Sequence, residues 1–334
     1  MAHIIFSEGS GLQDSIYGKS QEPIKMFLEK RAEAFEAESI AKKVFAQETS
    51  NHYAEKFTSM TAMEGFVPVG ENGAYPVDGM QESYAKTLEN VTWKNSFSLS
   101  REIIDDGILM ELRKQPQAFI TSYYRTRERF AAFLLANAVK KQTSGKFGGW
   151  TFDTTSADGV CLFATNHPKK VKSGTQSNLF SNAFSASILG AAETRMQNFT
   201  GDNNEVLDVS PDTIIIPNIY SLKNDVFAAI GADKEPTTAN NAYNYVYGRW
   251  NVIVWPYLNE FITSGTAPWI LMDSRYNKDN GSAVWLDRVK LEVKSEIADN
   301  DANRWKGYAR FTAGFNDWRA FAVGGIAGAT DLTA

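Results

Sequence analysis

The residues best suited to acid–base or metal chemistry are scarce in this sequence and stand far apart. Its three histidines are His3, His52 and His167, and its one cysteine is Cys161. Neither H-E-x-x-H nor C-x-x-C occurs, so none of these residues stands at the spacing of a metal site. Cys161 lies between two apolar residues, which favours an inert buried thiol over a nucleophile. We expect a structural or surface role for each histidine.

Acidic pairs are the other candidates for catalysis, as at Asp105 and Asp106 or at Asp299 and Asp301. Two carboxylates could hydrolyse a glycoside if a cleft held them at a suitable separation. With 39 acidic residues in the chain such pairs arise by chance, and these suit turns or helix caps better. There is no nucleophile elbow or Walker loop, and no helix follows the glycine-rich stretch Gly324–Gly328, which we interpret as a tail. The sequence predicts no catalytic residue, no metal and no cofactor.

The composition argues against several classes of protein. Hydrophobic residues make up 43% of the 334 residues and charged residues 22%, the balance of a folded chain. The net charge of −5 argues against a dedicated nucleic-acid binder, because gripping phosphates favours a basic balance. The N-terminus does not have the pattern of a signal peptide, and no apolar stretch approaches the roughly 20 residues of a membrane span. We therefore expect a protein made and folded in a cytoplasm, without a membrane partner.

The N-terminal region has surfaces that it cannot bury alone. Residues 1–20 have the composition of an extended arm, whereas the segment from Pro23 to about Glu48 predicts a charged helix. The apolar stripe of that helix includes Phe27 and Phe35. We expect this arm to contact neighbouring copies of the chain.

Residues 53–100 predict strands around an open loop. The segment 91–99 alternates between apolar and polar residues, which is typical of a strand with one covered face. Residues 66–79 contain two prolines and three glycines, which prevent continuous pairing and favour an extended loop. A two-stranded ribbon is marginal alone in water, so it must lie on its own domain or on a neighbour. We assign the ribbon, residues 53–95, to a neighbouring copy of the chain.

The clearest helix spans residues 116–141, where Pro116 suits the first helical position. It would be roughly 40 Å long, and glycines from Gly145 onward would end it. Eight basic residues and one acid lie within 113–146. The side opposite the apolar stripe carries Arg125, Arg129 and Lys140, together with Ala132 and Ala136. This basic strip is either a solvated, salt-bridged surface or a face toward packaged nucleic acid or the acidic residues of neighbouring subunits.

The C-terminal half predicts a small sheet followed by a long hairpin. Three short apolar runs read as strands covered on both faces, with helices expected at 184–198 and 219–230. The runs are Thr213–Ile216, Asn251–Trp255 and Trp269–Met272. Residues 286–297 then alternate, and a return strand is expected from about Trp305 to Phe315. This hairpin is well shaped to pack against the 116–141 helix.

The order of these elements resembles the Hong Kong 97-type capsid fold. Local sequences resemble the Mu-like major head subunit family at Phe97–Gly107, Asp158–Pro168, Asn178–Leu179 and Ser210–Pro217, and Asn316–Arg319 is typical of such proteins. The resemblance covers about residues 50–325. It implies an α+β chain with an N-terminal arm, an extended β-ribbon loop, a long spine helix, a peripheral-domain sheet and an α/β axial domain. The corresponding ranges are 1–50 (arm and helix), 51–100 (extended loop), 101–200 (peripheral domain with the spine helix), 201–280 (axial domain), 281–325 (peripheral hairpin) and 326–334 (tail).

The function that this resemblance implies is that of a major capsid protein, not an enzyme. Copies would assemble into the pentamers and hexamers of an icosahedral shell that encloses double-stranded DNA through weak, non-specific contacts. The implied partners are a separate scaffolding protein, a portal and a decoration protein, with assembly in the bacterial cytoplasm and residence in the virion. The candidate inter-subunit contacts are Phe66, Val67, Tyr75, Val77, Met80, Phe27 and Phe35; the candidate inner-face or inter-subunit charges are Arg125, Arg129 and Lys140.

Three alternatives remain open from the sequence. A nanocompartment shell would share the fold but enclose an enzyme instead of a genome. A carboxylate-dependent hydrolase would need an enclosed acid pair with a raised pKa. A decoration protein or adhesin would remain a small oligomer and form no shell by itself.

Overall fold

A computed structural model describes residues 5–6, 31–60, 66–75, 77, 82–100, 102, 109–231, 244–262, 267–299, 302–329 and 331–332. The helices described are α1 (31–38), α2 (Ala41–Val44), α3 (Leu109–Val139), α4 (Ala186–Gln197), α5 (Tyr220–Ile230), α6 (Leu258–Phe261) and α7 (Ser274–Asn280). The strands described are β1 (Ile5–Phe6), β2 (Ala46–Thr49), β3 (Ala54–Met60), β4 (Glu82–Glu89), β5 (Val91–Leu99), β6 (Ser144–Phe147), β7 (Trp150–Asp153), β8 (His167–Pro168), β9 (Thr175–Gln176), β10 (Thr213–Pro217), β11 (Asn251–Trp255), β12 (Trp269–Met272), β13 (Ala283–Ile297), β14 (Asn303–Phe315) and β15 (Phe321–Gly324).

The largest sheet is built on the antiparallel hairpin of β13 and β14. Its strands lie in the order β1-β13-β14-β5, and β2 also pairs with β13. The alternation in β13 directs Leu291 and Val293 toward Phe119 of α3, with which they form a buried cluster. Exposed side chains such as Lys294 and Lys306 belong to the polar positions of the same strands. The predicted hairpin and its packing against the long helix are both confirmed.

The long helix α3 has 31 residues, which corresponds to about 46 Å. It begins at Leu109, so the prediction that Pro116 occupies its first position is wrong. Residues 109–115 are all strong helix formers, and the proline removes one i→i−4 hydrogen bond from an otherwise continuous ladder. The predicted glycine stop is also wrong, because the helix ends before Lys141, which has a left-handed φ of 58°.

The C-terminal third of α3 is enclosed on all sides. The ten residues 130–139 are all buried, including Ala132 and Ala136. Helical spacing had placed these alanines on the same face as the basic residues Arg125 and Arg129. The buried residues 130–139 therefore interrupt the predicted basic strip, which does not form one continuous surface.

The segment from residue 31 to residue 50 packs on its own chain, which corrects two predictions. The expected continuous helix is broken after residue 38, and Ala46–Thr49 instead pair in parallel with β13 as β2. Val44 and Phe45 are buried, with Phe45 against Trp285 of β13. The expectation that this part of the arm cannot bury itself is therefore wrong, because its apolar side chains fill the space beside the large sheet.

The second sheet contains the three predicted strands and one that the sequence analysis missed. Its order is β11-β10-β12-β15, and β15 comes from Phe321–Gly324. Part of the stretch interpreted as a tail thus pairs with β12, Trp269 opposite Gly324. A side chain at Gly324 would overlap the Trp269 indole, so this glycine permits close packing of a buried strand.

β3 and β4 form the predicted two-stranded ribbon, with Ala54 opposite Glu89. β5 follows the ribbon directly but pairs with β14 as a strand of the large sheet. Its alternation is as predicted, because Leu99 is buried while Thr92 is exposed. The free ribbon is therefore shorter than the range 53–95 that we assigned to a neighbour.

One hydrophobic cluster joins both sheets to α3. It includes Phe130 of α3, Phe311 of the large sheet, and Ile215 and Trp269 of the small sheet. The two sheets and α3 therefore share one continuous core.

Candidate inter-subunit surface

The loop between β3 and β4 presents large apolar side chains to solvent. Phe66, Tyr75 and Val77 have relative exposures of 109%, 94% and 97%, and Val67 is more than half exposed. Burying a side chain of this size contributes about 1.5–3 kcal/mol. A single copy of the chain leaves this surface, which we call the loop tip (residues 66–77), without a hydrophobic partner among the described residues.

The contacts within the loop tip are local. Gly73 donates its backbone N–H to the Gly70 carbonyl at 2.9 Å, which closes a turn. Asn72 has a φ of 65°, a conformation that asparagine tolerates better than most residues. The turn gives the loop a defined shape although no core supports it.

The other candidate contacts have different outcomes. Phe27 and Met80 lie outside the described residues. Phe35 already has a partner in its own chain, since its ring stacks on Tyr124 of α3 at a centroid distance of 5.3 Å. Half-buried in this way, Phe35 offers a neighbour less apolar surface than the sequence analysis expected.

Polar contacts fix the stem of the ribbon to the body. Lys86 of β4 forms an ion pair with Asp153 and donates to the Thr155 carbonyl at 3.0 Å. The Lys86 side chain is only 8% exposed. Partial burial opposes the charge on Asp153, but hydrogen bonds from Lys86 and Thr155 outweigh it and lower the pKa of this carboxyl.

A second set of polar contacts lies nearer the loop tip. Ser83 donates its hydroxyl to Asp202, and Lys170 donates to the Glu82 carbonyl at 2.8 Å. Burial, followed by the negative charge of Asp202, raises the pKa of the neighbouring Tyr84. The stem is therefore held by charged and hydroxyl groups, whereas the loop tip beyond it is apolar.

The three basic candidates on α3 do not share one environment. Arg125 is exposed on the helix surface, and Lys140 is exposed just beyond the C-terminal end. Arg129 is instead engaged within the chain, since its Nε donates to Glu260 at 2.9 Å. Two of the three thus remain available to a partner.

Sequence reasoning missed Arg127, which lies against the sheet. It donates to both carboxylate oxygens of Asp287 on β13, at 2.8 and 2.9 Å. Its guanidinium also lies 4.6 Å from the Trp285 ring centroid. Position 127 follows Tyr123 by four residues and precedes Phe130 by three, so this arginine lies within the apolar stripe of the helix. A charged residue at such a position could have indicated a buried ion pair from the sequence alone.

The chemistry available in the described residues is limited. No group of three or more potential metal ligands occurs among them. Cys161 is buried, and burial raises the pKa of its thiol. Asp202 and Asp317 both form ion pairs with Arg319, at N–O distances of 3.0 and 3.2 Å. An acid pair neutralised in this way does not provide the free acid and base of a hydrolase.

The acid pairs and the three histidines considered for chemistry lie in different parts of the chain. Asp105, Asp106, Asp301 and His3 lie outside the described residues. His52 is exposed in the loop before β3, and His167 is buried. Among the described helices none is long and apolar enough to cross a bilayer.

A family model described as "Phage capsid protein" matches residues 85–324, more than two thirds of the chain. The chain belongs to this family of phage capsid proteins. It is a structural subunit of a virion capsid shell. A search of curated protein sequences finds no significant match.

Solved structures show the fold of this capsid protein. The capsid of Ralstonia phage GP4 matches with a TM-score of 0.52 at 10% identity, covering 84% of this chain and 88% of that one. The mature capsid of bacteriophage PhiM1 matches with a TM-score of 0.50 at 8% identity, covering 87% and 88%. The predicted Hong Kong 97-type fold is confirmed, whereas the closer resemblance to Mu-like head subunits stays a prediction.

Proposed function

We propose that this capsid protein assembles into pentamers and hexamers that tile an icosahedral shell around double-stranded DNA. Assembly uses non-covalent contacts and involves no reaction catalysed by the subunit. The observation that carries the proposal is the loop tip, an exposed apolar surface on a ribbon whose stem is fixed to the body. Such a surface has no use within one copy, and it fits a contact with the next.

A shell is stabilised by many modest contacts between subunits, and the loop tip is suited to one such contact. An ordinary protein interface buries about 800 Å² per partner. Head-to-tail contacts close into rings when the rotation between subunits permits, and each closed ring engages every subunit twice. Simultaneous engagement makes the assembly far tighter than any one contact. Phe66, Val67, Tyr75 and Val77 would supply the apolar part of one contact, with Met80 and Phe27 adding to it.

The remaining partners follow from the same picture. Arg125 and Lys140 are exposed and would meet packaged DNA weakly, or acidic residues of neighbouring subunits. A separate scaffolding protein would guide assembly in the host cytoplasm, and a portal and a decoration protein would complete the particle. The net charge of −5 fits a shell that confines DNA without gripping it.

Electron microscopy of the purified protein tests this function. The full chain is imaged both with and without its scaffolding protein, and closed shells are expected. A variant lacking residues 64–80 is expected to form no shells. A second variant, with residues 64–80 replaced by a Gly/Ser segment of equal length, separates loss of the apolar side chains from shortening of the chain. Circular dichroism checks that both variants fold.

The contents of the particles decide between shells of different use. Particles recovered from infected cells are expected to contain DNA; an enclosed enzyme would indicate a nanocompartment instead. Closed shells from both loop variants would show that the loop tip is not the inter-subunit contact. A full chain that stays a small oligomer under all conditions would contradict the shell itself.

A further inference from the structure

The large sheet has one face covered by α3 and an opposite face that carries exposed charges. Leu291 and Val293 of β13 pack with Phe119 of α3 on the covered side. The residues between them in the strand lie on the other side, because successive side chains alternate across a sheet. We call part of this opposite side the polar sheet face; it is formed by Lys94, Ser96, Glu292, Lys294, Glu296, Arg304, Lys306 and Tyr308.

The strand register brings cations together on this face although they are distant in sequence. Lys294 of β13 lies opposite Lys306 of β14. In the adjacent row, Tyr308 of β14 lies between Glu292 of β13 and Lys94 of β5. Residues that pair directly across two strands have their Cβ atoms about 5 Å apart, and like charges at such positions destabilise a sheet. The arrangement therefore favours an anion that approaches from outside.

The two acidic residues of the polar sheet face neutralise only part of its positive charge. Glu296 forms an ion pair with Lys306 and lies 3.9 Å from the Arg304 guanidinium. Lys94 and Lys294 are exposed and form no ion pair with any other described residue. Four cations thus stand against two carboxylates, a local excess of positive charge on a chain whose net charge is −5.

An open groove of about 690 Å³ runs over the polar sheet face, and its lining includes Lys94, Lys294, Lys306 and Tyr308. Nζ of Lys94 lies 5.9 Å from the centroid of the Tyr308 ring. The stems of the lysines and the tyrosine ring are apolar, whereas the ammonium groups remain near water. The groove therefore offers a partner both apolar contact and positive charge.

The loop tip has the complementary combination of properties. Residues 57–85 contain no basic residue, and within the loop tip Glu71 is exposed together with Phe66 and Tyr75. Because the chain as a whole is acidic, an acidic segment is repelled by much of the surface of another copy. A basic and partly apolar groove attracts it. The acidic residues of this stretch are Glu64, Glu71, Asp78 and Glu82.

We propose that the loop tip of one subunit docks in the groove on the polar sheet face of a neighbouring copy, where Glu71 meets the ammonium groups of Lys94 and Lys294. This inference rests on the proposed function and names the receptor for the same contact. The apolar side chains of the loop tip lie against the Tyr308 ring and the lysine stems. Complementary charge selects the surface that the loop contacts, and apolar burial adds affinity.

Packaged nucleic acid suits this face less well than the loop tip does. Glu292 and Glu296 lie among the cations, so a phosphate backbone would meet carboxylates as well as lysines. Strong binding to a duplex comes from neutralising many phosphates, which favours an uninterrupted basic patch. Glu71 is one carboxylate and can approach the two unpaired lysines without contacting either glutamate.

Zero-length cross-linking of wild-type shells tests the contact without any substitution. A carbodiimide joins a carboxylate to a lysine that lies against it, and mass spectrometry identifies the linked peptides. We expect Glu71 to be linked to Lys94 or Lys294, and not to Lys278, an exposed lysine of α7 outside the groove. Shells assembled from mixed ¹⁴N and ¹⁵N subunits should yield linked peptides with one light and one heavy partner, which shows that the contact joins two copies.

Exchange of charges supplies an independent readout. Lys94→Glu combined with Lys294→Glu should lower the shell yield at least about tenfold, because like charges would then face Glu71 across the contact. Adding Glu71→Lys to this variant should restore the yield, whereas Glu71→Lys alone should lower it. The matched control combines Lys43→Glu with Lys278→Glu, two exposed lysines elsewhere, and should assemble as wild type does. Thermal unfolding checks that each variant folds.

The possible outcomes separate this docking site from shell formation itself. Closed wild-type shells without a link from Glu71 to the groove lysines would overturn the docking site and leave the shell intact. A charge exchange that restores nothing, or a control that assembles as poorly as the groove variant, would overturn it too. Groove-variant shells of normal yield but low DNA content would assign the face to nucleic acid instead. If the groove variant does not fold, the cross-linking of wild-type shells decides.

Discussion

Arg127 of α3 and Asp287 of β13 form a bidentate ion pair between the helix and the large sheet, with N–O distances of 2.8 and 2.9 Å. Their side chains are only 13% and 17% exposed. Trp285 donates its indole N–H to the same carboxylate at 3.0 Å, and the guanidinium lies over the rings of Trp285 and Phe311. This contact fixes the rotation of the spine helix against the sheet that carries it.

Removing one member of this pair should destabilise the subunit. Arg127→Met leaves the Asp287 carboxylate buried without its cation, which costs about 3 kcal/mol or more in unfolding free energy. Urea denaturation measures the loss. The matched control is Arg125→Met, an exposed arginine on the same helix, which should change stability by less than about 0.5 kcal/mol. Adding Asp287→Asn to Arg127→Met should recover part of the loss; equal effects at 125 and 127 would refute the role of the pair.

The loop tip should contribute to assembly and not to folding. Tyr75→Ser removes an apolar contact worth about 1.5 kcal/mol or more per interface, roughly tenfold in association. Tyr220→Ser is the control, since Tyr220 is 83% exposed on α5. We expect normal Tm for both variants and a lower shell yield, measured by sedimentation, for Tyr75→Ser alone. A lower shell yield for both variants would mean that removing any exposed tyrosine impairs assembly, whether or not it lies in the loop tip.

The stem of the ribbon should loosen in acid. The pKa of Asp153 is lowered by Lys86 and Thr155, so its contribution is present above the ordinary value of about 3.9 and is lost as the pH falls through the lowered value. Lys86→Met should loosen the stem already at neutral pH. Amide hydrogen exchange in β4 measures both effects. Lys56→Met, an exposed lysine of the same ribbon, should leave exchange unchanged, and protection that survives Lys86→Met would disprove the anchor.

Gly324 should not tolerate a side chain. In Gly324→Ala the added methyl overlaps the Trp269 indole in the small sheet, and overpacking of this kind costs about 1–3 kcal/mol. Gly70→Ala is the control, because nothing lies within 4 Å of the added carbon. Thermal unfolding should show a lower Tm for Gly324→Ala only. A stable Gly324→Ala protein would indicate that β15 is a loosely attached tail after all.

The exposed charge on α3 should act on assembly or DNA content. Arg125→Glu is expected to reduce particle yield or packaged DNA while leaving the Tm within the range of other surface changes. The charge reversal belongs at Arg125, because reversing Arg129 would also break its pair with Glu260. Arg195→Glu, at an exposed arginine of α4, is the matched control. If particle yield and DNA content are unchanged in Arg125→Glu, Arg125 is a solvated surface residue with no role in assembly or packaging.

Local patterns determined much of this fold. The alternation in β5 and β13, the buried runs of β10, β11 and β12, and the stripe on α3 each predicted an element that the structure contains. These predictions succeeded because the period of the apolar residues depends on backbone geometry and on one covered face, both of which are local. The exposed loop was predictable for a similar reason, since prolines and glycines prevent pairing whatever lies nearby.

Other features depended on partners distant in sequence. Nothing near Arg127 predicts Asp287, which lies 160 residues away, and nothing near Gly324 predicts the Trp269 ring beside it. Ala46–Thr49 look helical in sequence and become a strand because the edge of β13 offers backbone partners. Tertiary contacts overrode local preference at each of these positions.

The sequence by itself determined the order of elements, the family resemblance and the loop that no core of its own covers. Only the tertiary structure decided which charges are free, which are buried in pairs, and which strand completes the small sheet. The reason is physical: apolar periodicity is present along the chain itself, whereas a buried ion pair such as Arg127–Asp287 exists only where separate segments exclude water together.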